Sequence, residues 1–136
     1  MSWVEINAAL IQSYQNVGLN LATAYEGRDF TPPSGTSWAS VFNLPASSNV
    51  DTLGAGGADL HVGILQIDVN SPANVGTATL LNAAATLRTA FYAGRNLTYS
   101  GQSVRIKQAS RSAIRRVDGW LRISVSITYW AQTARP

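Results

Sequence analysis

Apolar positions change their spacing several times along this chain, and each change marks an element. From Trp3 to about residue 20 the spacing is helical. Ile6, Leu10, Val17 and Leu21 line one face, with Ala9 and Tyr14 beside them. Ser2-Trp3-Val4-Glu5 fits a capping box, in which hydroxyl and carboxylate each satisfy a free amide of the first turn. The other face is Asn, Gln and Ser, without the basic residues of a membrane-surface helix. The pattern predicts a core-packing helix. Thr23 to Arg28 predicts a short strand, and Phe30-Thr31-Pro32-Pro33-Ser34-Gly35 a turn-rich connection. Trp38 to Leu44 alternates and reads as a strand that ends at Pro45.

Ala46 to Asp59 is a run of Ser, Asn, Gly and Ala containing Gly54-Ala55-Gly56-Gly57. It predicts a long flexible loop at about 45–60, ordered by a neighbour, because it is too polar to pack a core alone. His61 to Val69 then predicts a central strand. Leu65, Ile67 and Val69 point one way; Val62, Ile64, Gln66 and Asp68 point the other. Asn70-Ser71-Pro72 stops it. Helical spacing returns from about Val75 to Tyr92, with Leu80, Leu81, Ala84, Leu87 and Phe91 on one face, and Gly94 suits its end. Gln102 to Ala109 alternates with Val104 and Ile106 opposite Arg105 and Lys107. Ser110 to Asp118 reads as a long hairpin connection, and Asp118-Gly119 as a turn. Trp120 to Trp130 predicts a strand with Leu121, Ile123, Val125, Ile127 and Tyr129 on the core face. A slip of one residue would bury Arg122, so its register is well specified. No internal repeat is visible. The fold class is α+β, a mixed α/β sandwich: one mostly antiparallel or mixed sheet flanked by two helices, in a single domain spanning residues 1–136.

Composition changes this picture in one respect. Only 12% of residues are charged, about half the usual ~25%, so much of the surface is weakly polar or covered by partner subunits. The charges are also sorted along the chain. Residues 1–87 hold Arg28 against Glu5, Glu26, Asp29, Asp51, Asp59 and Asp68, net −5. Residues 88–136 hold Arg88, Arg95, Arg105, Lys107, Arg111, Arg115, Arg116, Arg122 and Arg135 against Asp118, net +8. If the halves stay apart in the fold, the subunit has an acidic and a basic side, which suits head-to-tail assembly or contact with a polyanion. If they interleave, the asymmetry averages out. Cysteine is absent, which removes disulfides and thiolate metal sites. No secretory signal and no membrane span are expected from the sequence, which reads as a soluble chain made in a cytoplasm.

Catalytic chemistry finds little to use. His61 stands alone, so a Ser-His-acid triad would depend on it entirely, and no G-x-S-x-G elbow exists. Asp59 and His61 share a strand face but are too few for a protein zinc site. The acids are scattered, and Gly54-Ala55-Gly56-Gly57 lacks the G-K-[ST] ending of a phosphate loop. No catalytic residue, metal or cofactor is expected. Lys107, Arg111, Arg115 and Arg116 form a basic cluster without interleaved aromatics, suited to sequence-blind phosphate contact or to acids of a neighbouring subunit. A solvated basic hairpin is the plain alternative. Ser47, Asp51, Leu53 and Asp59 mark the loop as a candidate assembly element.

Three stretches carry a family resemblance: Tyr25-Glu26-Gly27-Arg28-Asp29-Phe30-Thr31-Pro32-Pro33, then Gly63-Ile64-Leu65-Gln66-Ile67-Asp68-Val69 followed by a helix, and Val125-Ser126-Ile127-Thr128-Tyr129. With the opening helix, the chain resembles the small tail terminator (tail completion) proteins of long-tailed bacteriophages, the lambda type and its relatives. The resemblance implies a structural virion protein that acts without a cofactor. It implies a self-assembled, hexameric ring on the head-proximal end of the tail tube, which stops tube growth and joins the head–tail connector proteins. The implied partners are further copies of the chain, the tail tube protein, the connector, and genomic DNA passing through the lumen without sequence specificity; no membrane is involved. The resemblance places the protein in the virion tail, assembled in the host cytoplasm. The basic cluster would then face the lumen or an adjacent subunit. A different head–tail joining protein, or a nucleic-acid-binding module using the basic half, are the other readings.

Overall fold

The computed structural model describes residues 3–53 and 56–134. The Ser2 cap, Gly54-Ala55 of the glycine run and Arg135 of the basic half lie outside the described residues. Element order is α1 (Trp3–Val17), β1 (Ala22–Tyr25), β2 (Trp38–Val50), β3 (Ala58–Pro72), α2 (Ala78–Ala90), β4 (Asn96–Tyr99), β5 (Gln102–Arg111), β6 (Arg115–Val117) and β7 (Trp120–Ala134). The strands form one seven-stranded sheet in the order β1-β2-β3-β7-β5-β4, with β6 also pairing β7. It is mixed: β1 runs parallel to β2, and every other pair is antiparallel.

Both helices pack on the same face. Ile6, Ala9, Leu10 and Tyr14 of α1 and Leu80, Ala83, Ala84 and Leu87 of α2 join one cluster with Leu65, Ile67, Val69, Ile123, Val125 and Ile127. The architecture is thus two layers, with the helices on one side rather than around the sheet. Each large buried apolar side chain contributes about 1.5–3 kcal/mol, which makes this layer the main source of stability. Gly18, at φ +75°, ends α1 in the left-handed region. Arg95 closes α2: its guanidinium donates to the Ala90 carbonyl and lies 5.8 Å from the Phe91 ring centroid.

The predicted long loop is instead a strand pair. β2 continues past Pro45 to Val50, pairing Ser47 with Val62 and Val50 with Asp59, and only residues 51–57 lie between β2 and β3. Pro45 does not stop the strand because β2 has an open edge there. β1 pairs only with Trp38–Val41, so a proline beyond that point removes no ladder bond. The Asn43 amide points out on that edge and donates to Glu26 Oε1 at 2.8 Å. Pro45, two residues on, lies where the next outward donor would stand. A register shift between Pro45 and Ser47 bends the strand further. Charge, proline and bulge together blunt an edge that would otherwise template aggregation.

Two short strands escape the sequence reading. β4 joins β5 through Ser100-Gly101, both at positive φ, and β6 joins β7 through Asp118-Gly119, also both positive. Paired positive φ values are the signature of a tight two-residue hairpin. The Asp118-Gly119 turn was legible; the three-residue strand before it was not.

Candidate assembly surfaces

The three family-like stretches converge on Asn43. The Tyr129 hydroxyl donates to Asn43 Oδ1 at 2.6 Å, Asn43 Nδ2 donates to Asn7 Oδ1 of α1 at 3.2 Å, and the Asn43 amide is held by Glu26. Tyr129 reaches this point by passing over Gly63. A Cβ added there would stand 2.6 Å from the Tyr129 hydroxyl oxygen and 3.0 Å from the Leu44 carbonyl. Burial pushes the Tyr129 phenol above its ordinary value, and the Asn43 bond partly opposes that shift. These residues tie α1, β1, β2, β3 and β7 together, so their role is structural.

The sheet keeps the two charged halves apart. β1, β2 and β3 come from the acidic half and occupy one side of the β3–β7 boundary; β7, β5, β4 and β6 come from the basic half and occupy the other. The asymmetry therefore survives in the fold across the sheet, although α1, with Glu5, packs over β4 and β5.

The basic cluster does not form a single patch. Residues directly opposite on an antiparallel pair share a face. Arg111 faces core residue Val125 and Arg116 faces Leu121, which places both on the helix side. Arg115 stands opposite Arg122 on the bare side. There its guanidinium donates to Ser112 Oγ at 3.1 Å and Ser124 Oγ at 2.9 Å. Lys107 sits in a register shift between Ile106 and Gln108 and lines a bare-side hollow with Trp130 and Val62. Arg105 pairs opposite Trp130 on that side, and Arg122 donates to Asn70 Oδ1 at 2.7 Å. The bare-side basic set is therefore Arg105, Lys107, Arg115 and Arg122. Strand alternation already coupled Arg105 with Lys107; the bulge and the extra hairpin hid the rest.

One end of the bare side is covered locally. Phe30 packs on Trp38 at 5.4 Å between centroids, and Trp120 meets Trp38 edge-on at 5.8 Å. Beneath them Asp68, Asn70 and Ser124 are buried, with Gln66 Nε2 donating to Asp68 Oδ1 at 3.0 Å. Toward the other end the β2–β3 hairpin, here called the arm, continues beside β7, which pairs with β3 as far as Ala58 opposite Ala134, and only the outer edge of β2 and the 51–57 turn are unflanked. Leu44, Val50 and Leu53 are exposed on it, Leu53 to 90%. Ser47 lies on β2, and Asp59 lies on β3 opposite both Val50 and Thr133. Asp51 follows β2, and its carboxylate accepts a hydrogen bond from Gln132. His61 lies at the arm's root, with Nδ1 2.8 Å from Ser48 Oγ and Nε2 2.8 Å from Thr133 Oγ1. These two hydroxyls and the Trp3 ring, which meets it edge-on, orient the His61 ring. Among the described residues no group of three His, Asp or Glu could hold a metal ion. No helix there is long and apolar enough to cross a membrane.

The subunit is a small α+β unit with polarised charge, a blunted open edge and exposed aliphatic side chains at the hairpin tip. The family it belongs to is that of the phage tail terminator proteins, whose model matches residues 5–129. No curated protein matches the chain. Solved structures share its fold, among them the following two. One, of no stated function, is 23% identical with a TM-score of 0.80, covering 100% of this chain and 99% of that one. The other is a chain of the virion of a native gene transfer agent particle, 21% identical with a TM-score of 0.59, covering 97% of this chain and 100% of that one. The chain is a phage tail structural protein.

Proposed function

We propose that this protein forms a hexameric ring on the head-proximal end of the tail tube. There it ends tube polymerisation and joins the tail to the head connector, with DNA passing through its hole. The observation that carries this reading is the family match over residues 5–129, nearly the whole chain. The separation of acidic and basic strands supports it physically, because a ring needs one patch to meet a different patch on the next subunit. The reaction is assembly alone and uses no cofactor. In the ring, the bare-side set of Arg105, Lys107, Arg115 and Arg122 is the better candidate for facing DNA.

The test is tube growth. The cognate tube protein is polymerised with and without this protein, and the products are imaged by negative stain. Growth should stop with a sixfold ring at one end of each tube. Unchanged tube length at saturating protein, with bare ends, would contradict the proposal.

A further inference from the structure

The arm presents apolar side chains that its own subunit leaves uncovered. Val50 is 60% exposed and Leu53 90% exposed, and Asp51 stands between them in sequence. Residues 44–62 contain Asp51 and Asp59 and no lysine or arginine, so the arm is acidic. The tip thus sets two bare aliphatic side chains around a carboxylate, and covering them on a partner gains the apolar area buried.

A matching receptor lies on the opposite side of the sheet. Between α2 and β5 runs a groove of about 800 Å³. Its wall and floor include Leu81, Ala84, Ala109 and Val125, and Arg88 and Arg111 stand in its lining. Leu81 is 39% exposed there, an apolar helix position turned to solvent. Beyond Ile106 the outer edge of β5 has no neighbouring strand, since β4 pairs only with Gln102–Arg105. The groove thus offers apolar area flanked by two guanidinium groups, and the arm offers apolar area beside a carboxylate that accepts from Gln132 and shares a hollow with Lys107 in its own subunit, so docking exchanges that bond for the two guanidinium groups.

We infer that the arm tip of one subunit, through Val50, Asp51 and Leu53, docks in the α2–β5 groove of a second copy of this chain, between Arg88 and Arg111. The inference rests on the ring reading and specifies its contact. Tip and groove lie on different parts of the subunit, so the contact is heterologous: a docked pair keeps one free groove and one free tip, and the contact propagates until a ring closes. The apolar contact supplies affinity, and the charge pairing fixes which patch meets which.

The absence of native cysteine makes the test clean. Full-length Leu53→Cys and Leu81→Cys proteins are mixed in equal amounts and oxidised with copper phenanthroline, with each variant alone as control. Light scattering of the wild type is run in parallel, with and without tube ends. The expected result is a cross-linked heterodimer in large excess over either homodimer. Reversal of both Arg88 and Arg111 to Glu should then lower its yield at least tenfold, and adding Asp51→Lys on the tip partner should restore it. Wild-type rings without the heterodimer would overturn this contact and leave the ring standing. A wild type that neither oligomerises nor binds tube ends, with no heterodimer, would overturn both.

Discussion

The helix-covered half of the sheet and the far end of the β2–β3 hairpin are made from the same strands and solve different problems. Over the helices, β3 buries Leu65, Ile67 and Val69 completely, and each position is fixed by neighbours on several sides. Along the arm, every residue of β2 from Leu44 to Val50 is exposed, and the strand is held by its ladder to β3. The first region needs nothing outside the subunit. The second has backbone order without a core, and its exposed Val50 and Leu53 gain only when another surface covers them. Stability thus resides in one length of the hairpin, and the proposed docking uses the other.

The comparison breaks most sharply at the core. Leu87→Ala, at a fully buried helix position, should cost about 2–5 kcal/mol by urea unfolding of the free subunit. A cost under 1 kcal/mol would mean that the helix layer is not what holds the sheet. Gly63→Ala tests the junction between the two regions. The new methyl group must displace Tyr129 or the Leu44 backbone, and about 1–3 kcal/mol should be lost. Tyr129→Phe removes the hydrogen bond to Asn43 and should cost about 1 kcal/mol.

A pH titration sharpens the same point. Burial pushes the phenols of Tyr14 and Tyr129 above the ordinary value of 10.0, with the Thr23 and Asn43 hydrogen bonds partly opposing it. The unfolded chain therefore loses these protons first as pH rises. Their contribution is fully present below pH 10 and is lost as pH climbs through the raised folded values. Chemical denaturation between pH 9 and 11 should show stability falling, and a Tyr14→Phe, Tyr129→Phe double variant should flatten that limb. An unchanged slope would assign the alkaline loss to other groups. At the smallest end, Leu53→Ala should leave free-subunit stability within about 0.5 kcal/mol, while weakening assembly.

Much of the core could be read from the sequence. Ile6, Leu10 and Leu87 follow helical spacing, and Ile123, Val125 and Ile127 follow strict alternation, because burial on one face imposes a period. Leu81 followed the helical pattern too, yet it lies exposed in the α2–β5 groove. The arm was not legible for the converse reason. An exposed edge strand buries little, so Ala46-Ser47-Ser48-Asn49 carries no apolar period, and Pro45 resembles a terminator until the open edge is known. The basic cluster failed at Lys107, where a one-residue register shift undoes any count of alternate positions. The polarity of charge was visible from the start, but its survival depended on β3 meeting β7, a long-range pairing that local patterns do not encode.

The most direct test of the division between core and arm is hydrogen exchange on the free subunit and on the protein assembled at tube ends. The β2 edge amides of residues 44 and 46–50 should exchange faster than the β3 core in the free subunit and gain strong protection on assembly, while Leu65 to Val69 stays unchanged. Equal exchange of the arm in both states would contradict its role in assembly.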